Sequence, residues 1–247
     1  MVEFTVKGDV AWLTLQRPDR ANALSANLVE GLLEAVDQAI AARVRVLVFS
    51  GAGKTFCGGF DLGGLTEESD ADLAYRLLRI ELLLQRVHAA PCYTIALTHG
   101  TVSGAGADLA AVCVKRVAAS NTRFRFPGIG FGILLGTRRL LSLIGDRARS
   151  AILEQQVIDA SEALEAGLVT DIVEPREWNT YVEAVASRLA AVPVFAAERV
   201  LRVGKDEALD ERDLGVLAKS LIEPGLKERV IKYWEAAQGV AKAQGKT

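Results

Sequence analysis

The 247-residue chain has room for one large domain or two small ones, and half of its residues are hydrophobic, so a sizeable core can form. Its 29 basic and 31 acidic residues nearly cancel, which speaks against a nucleic-acid partner or a membrane surface. Three cysteines without CxxC spacing suggest reduced thiols, and no window of about 18 uncharged apolar residues suggests a membrane span. The first dozen residues carry charges unlike a signal peptide, so a soluble, cytoplasmic protein is expected.

In chain order, VEFTVKG and VAWLTLQR flank Gly8-Asp9, which predicts a β-hairpin. Ser25 can cap a helix on which Leu28, Leu32, Leu33, Val36 and Ile40 recur at helical spacing. VRVLVFSG (44–51) reads as a buried strand ending in glycine. A second helix fits 70–87, with Leu73, Leu77, Ile80, Leu84 and Val87 on one stripe. CYTIALT then leads into the glycine turn HGTVSGAGAD and a helix-like run, followed by a short strand at 116–119 and the Gly-rich loop PGIGFGILLGT. Helical patterns dominate from Arg138, interrupted by LVTDIVE. Strands alternating with helices, then helices alone, predict an α/β body with a helical C-terminal region.

Several familiar motifs fail. GAGKT at 51–55 lacks the upstream glycine of a phosphate loop, because Val48 stands there, and the glycines of FCGGFDL follow where a helix should start. Gly104-x-Gly106 has no third glycine, and Asp108 in the first helical turn would repel a pyrophosphate. Thr101 before Ser103 rules out a nucleophile elbow, His88 and His99 read as structural, and no spacing of Cys, His or acids supports a metal site. Two turns remain, TFCGGFDL and HGTVSGAGAD. If their strands are neighbours, one N–H from each can converge on a single oxygen, an oxyanion hole beside a carboxylate. Close-packed turns without chemistry stay open as the alternative.

These segments resemble, in order, motifs of the crotonase (enoyl-CoA hydratase/isomerase) superfamily. RPDRANALS (17–25) is similar to RP-x-x-x-NAL-S, TFCGGFDL (55–62) to F-x-AG-x-D-L, and HGTVSGAGADLAAVC (99–113) to NG-x-x-x-GGG-x-EL-x-x-x-C. FRFPGIGFGILLGTRRLLSLIG (124–145) is similar to F-x-x-PE-x-x-x-G and the helix that follows it, and SEALEAGLVTDIVE (161–174) to A-x-x-x-GLV-x-x-V. The resemblance implies a spiral of ββα repeats over 1–190 and a C-terminal helical trimerisation region over 191–247. It implies a homotrimer or hexamer, and an acyl-CoA or other pantetheine thioester as ligand, with no separate cofactor. It puts the oxyanion N–H donors on Gly58 and Ala105. It puts the CoA arm along Arg20, Ala21, Ala23, Leu24, Asp61 and Leu62, largely through backbone contacts, with Arg20 reaching a phosphate.

The family's hydratases use two glutamates that share a water. The first falls on Asp108, a shorter carboxylate, and the second on Gly128, which has no side chain. Standard hydration needs both, so isomerisation with a single base, decarboxylation or thioester hydrolysis, and plain acyl-CoA binding are the readings that compete with it. Glu81, among leucines in RIELLLQ, is a second acid/base candidate, with an ion pair to Arg79 or solvent exposure on the Gln85 side as its structural alternative. Tyr233 and Trp234 are placed by the resemblance towards the acyl pocket, as packing groups.

Overall fold

The computed structural model describes residues 1–244; the last three residues of the expected C-terminal helical region lie outside the described residues. The hairpin forms as predicted, with β1 (Val2–Lys7) antiparallel to β2 (Val10–Leu15). Ser25 caps α1 (Ala26–Ala41), its hydroxyl accepting from the Leu28 N–H. β3 (Val46–Gly51), α2 (Asp70–His88) and β4 (Tyr93–Thr98) also stand where the periodicity put them. Ser69 and Asp72 close a capping box at the start of α2.

The main sheet continues through β6 (Lys115–Ala118) and β9 (Asp171–Ile172) in the order β1-β2-β3-β4-β6-β9, parallel from β2 onward. Its central strands are buried on both faces, which explains the unbroken apolar runs in place of alternation. Leu47, Phe49 and Ala96 face α1 and α2; Val46, Val48, Ile95, Leu97 and Val117 face α7 (Trp178–Ala190). Because β3 and β4 are parallel neighbours, the turns that follow them leave the same edge of the sheet.

A second, three-stranded sheet has no counterpart in the sequence reading: β5 (Thr101–Ser103), β7 (Arg123–Arg125) and β8 (Ile158–Asp159). Strands of two or three residues are too short to show a period. α3 (Ala105–Ala111) follows β5 directly, and α4 (Thr137–Ile144) follows the loop that begins at Pro127. After α5 (Arg147–Leu153), α6 (Ala160–Ala166) and β9, only helices remain: α7, α8 (Val194–Arg202), α9 (Glu207–Ile222) and α10 (Leu226–Gln244). A separate apolar cluster joins α2, α9 and α10 through Leu73, Leu77, Leu217, Leu221 and Val230, and it walls the cavity described next.

Candidate active site

One backbone bridge joins the two glycine turns, and a second ties the first turn to the 20–24 strip. Cys57 bridges Val102 in β5, and Leu24 bridges Phe60. The approach is close enough that a Cβ on Gly59 would lie 2.5 Å from Ser103 O and 3.5 Å from Ala105 N. Gly106 is held equally tightly, its Cα facing the Cys57 backbone. The turns are therefore close-packed, and the packing leaves donors over.

The donor expected on the first turn is corrected here. The Gly58 N–H donates to Ala21 O at 2.8 Å and has nothing left for a ligand. Gly59, at φ +93°, reverses the chain, so that Asp61 N–H returns to Leu24 O while the intervening Phe60 N–H finds no acceptor among the described residues. Ala105 opens α3, where helix geometry leaves its N–H without an internal acceptor, and none is found elsewhere among the described residues. Phe60 and Ala105 both line one cavity of about 220 Å³. Its wall is largely apolar, with Leu77, Phe126, Ile133, Leu135 and Ile152 among the lining residues.

Asp108 lines the same cavity and is only 5 % exposed. Its carboxyl has no hydrogen-bond partner among the described residues and rests against Gly136, the residue before α4, where any Cβ would strike Asp108 Oδ1. Gly136 has φ +65°, a left-handed conformation that glycine takes at no steric cost. Loss of water holds the Asp108 carboxyl well above its usual range; Arg139 pulls it back and Glu81 pushes it further up. Gly128 also lines the cavity, so the second acid position presents no titratable group. Tyr233 reaches the wall from α10 with its ring 5.0 Å from Phe131, and burial raises its phenol.

Glu81 is not in the cavity. It is 1 % exposed and gripped by Arg139 of α4, whose Nη1 and Nη2 donate to its two oxygens at 3.0 and 2.6 Å. Gln85 Nε2 donates to Oε1 as well, at 2.8 Å. The expectation of a free acid/base at Glu81 is therefore overturned. Its structural alternative was sound in kind but named the wrong arginine, since Arg79 pairs with Glu30 on the surface. A carboxylate bound bidentately in this way is not available to abstract a proton.

The 20–24 strip and the Asp61-Leu62 turn do meet, through the hydrogen bonds of Ala21 and Leu24 to residues 58–61. Arg20 and Ala21 are exposed beside them, and Leu62 lines the cavity. The Asp61 side chain is spent on structure, accepting from Arg17 Nη1 at 2.8 Å and from Gly63 N–H at 3.0 Å. Ala23 O is likewise taken, by Arg17 Nη1. Sequence reasoning missed Asn22, fully buried at φ +53°, whose amide donates to Ala52 O and Thr55 O and accepts from Arg17 N–H. It fastens the strip to the loop that precedes the first turn. His99 bonds Gly53 O and packs on Trp178, away from the cavity, as expected of a structural histidine.

The enoyl-CoA hydratase/isomerase family profile matches residues 5–209. A probable enoyl-CoA hydratase of Mycobacterium bovis is 34% identical over 248 residues, covering 99% of this chain and 94% of that one. The 2,3-dehydroadipyl-CoA hydratase of Escherichia coli is 34% identical over 81% of each chain. Among solved structures, a putative enoyl-CoA hydratase/isomerase from Bordetella parapertussis superposes with a TM-score of 0.91 at 40% identity, covering 94% of this chain and 98% of its own. The paired glycine turns thus sit in the crotonase fold, and the chain belongs to the enoyl-CoA hydratase/isomerase family.

Proposed function

We propose that the protein binds an acyl-CoA thioester and moves one proton at the acyl chain through Asp108, in the manner of an isomerase rather than a two-acid hydratase. The thioester oxygen is held by the N–H groups of Phe60 and Ala105, which stabilise the enolate. The CoA arm runs along Arg20–Leu24 and Asp61-Leu62, with Arg20 placed for a phosphate. The apolar wall suits an aliphatic acyl group without a polar end. A carboxyl with raised proton affinity is a stronger base when ionised, and its acid form persists above the usual carboxylate range, so one group can take a proton and return it. What carries this reading is that, among the described residues, one carboxyl lines the cavity and is unpaired, two N–H groups there are unengaged, and a glycine stands at the second acid position.

The deciding measurement is deuterium uptake at the α-carbon of acyl-CoA in D₂O, followed by mass spectrometry, beside conversion of 3-enoyl-CoA and hydration of crotonyl-CoA. The expectation is exchange and double-bond migration in the wild type, both lost in Asp108→Asn, with hydration far slower. Thioester binding without exchange or migration would refute the reading. The persistent acid form of Asp108 also favours a second one, in which it protonates the enolate left by decarboxylation of a malonyl-type thioester. Release of CO₂ separates the two.

Exposed apolar side chains on and after α8 (Val194, Phe195, Val200, Val203) support assembly into a homo-oligomer, with a trimer or hexamer expected by light scattering.

A further inference from the structure

Asp108 rests against Gly136 at the start of α4, and Arg139 stands three positions further along that helix, on the same face. An arginine beside a buried carboxylate ordinarily pairs with it and fixes it in the ionised form. Here Arg139 is already surrounded. Glu81 takes both terminal nitrogens, Asp210 lies 3.4 Å from Nη2, and Asp213 lies 3.4 Å from Nε. Arg138 grips the far side of Asp213 at 2.9 and 2.7 Å. The cluster therefore holds three carboxylates to two guanidinium groups, and its surplus is negative.

The other elements packed on α3 bring nothing that replaces Arg139 as a counter-ion. β4 and β5 carry no charged side chain. On α2, Arg76 is held by Glu68 and Asp61 O, Arg79 by Glu30, Arg86 by Asp37, and His88 stands beside Asp210. Across the cavity, the Tyr233 phenol is the remaining titratable group in its lining.

We propose that Glu81 is a positioning residue for the candidate acid: by clamping the Arg139 guanidinium in a bidentate pair, it denies Asp108 a counter-ion. The assignment rests on the reading of Asp108 as the proton carrier, but its test does not need turnover.

The variant is Glu81→Gln, which keeps the side-chain volume and removes the charge. In the wild type, the infrared band of a protonated carboxyl that Asp108→Asn abolishes should persist above the usual carboxylate range. In Glu81→Gln its midpoint should fall by about one pH unit, a tenfold loss of proton affinity. The acid limb of the α-proton exchange profile should move with it, and Glu81→Asp should restore both. A folded Glu81→Gln protein with an unmoved midpoint overturns the proposal, because a purely structural Glu81 would alter stability alone. Should that variant not fold, Asp210→Asn loosens the same clamp from its more exposed edge. A smaller shift in the same direction supports the proposal and no shift overturns it. Absence of exchange in every variant would refute the catalytic reading of Asp108 while the infrared midpoint still decides the role of Glu81.

Discussion

Asp108 and Glu81 are both buried acids on neighbouring helices, yet their surroundings are opposite. Glu81 has two arginine nitrogens and a glutamine amide on its oxygens, whereas Asp108 has no hydrogen-bond partner among the described residues and a cavity in front of it. Burial alone does not make an acid or base; what matters is whether the fold supplies the compensating donors. Where it does, the carboxylate is part of the scaffold. Where it does not, the proton stays, and the group is poised to give it up to something that enters.

The contrast can be broken at either end. The largest effect is expected from Glu81→Ala, which leaves Arg139 buried and short of its main partner. Loss of one member of such a pair costs about 3–5 kcal/mol, readable in urea denaturation. Asp108→Asn should do the reverse: turnover falls by about 10² to 10⁴, while the fold is retained or strengthened.

The sign follows from the raised proton affinity of Asp108. Between its unfolded value near 3.8 and its higher folded one, the native state binds more protons, so stability falls as pH rises through that window. Asp108→Asn removes this cost, and its melting temperature should exceed the wild type's at the upper end of the window, by about 2–4 °C per kcal/mol relieved. Below pH 3.8 the two should converge. Gly136→Ala sharpens the comparison differently. Its methyl would meet the Asp108 carboxyl at a left-handed φ, so about 1–3 kcal/mol of stability and most of the exchange activity should go together. The smallest effect belongs to Glu30→Ala. The Arg79–Glu30 pair is solvent-exposed, and its loss should cost about 0.2–1 kcal/mol, shrinking with added salt.

Much of this architecture was legible in the sequence, for local reasons. The Gly8-Asp9 hairpin, the Ser25 cap and the stripe of α2 are each set by residues within a few positions of one another. The collinear glycine motifs gave the family before any coordinates, and the absence of an acid at Gly128 needed only the residue's identity. Reading failed where the answer lay across the fold. The resemblance put the first donor on Gly58. Its N–H is taken by Ala21, 37 positions earlier, and the reversal at Gly59 leaves Phe60 free instead. The partner of Glu81 lies 58 residues away, in a helix that no spacing rule ties to α2. β5, β7 and β8 were too short to carry a period.

By itself, then, the chain specified its longer elements and its two glycine turns, since those follow from side-chain identity and short-range periodicity, and the resemblance of its motifs pointed to the missing second acid at Gly128. Tertiary structure alone decided which amide is left without an acceptor and which buried carboxylate is left without a cation. Hydrogen bonds and ion pairs saturate, so whether a group is free depends on what every other segment has already taken.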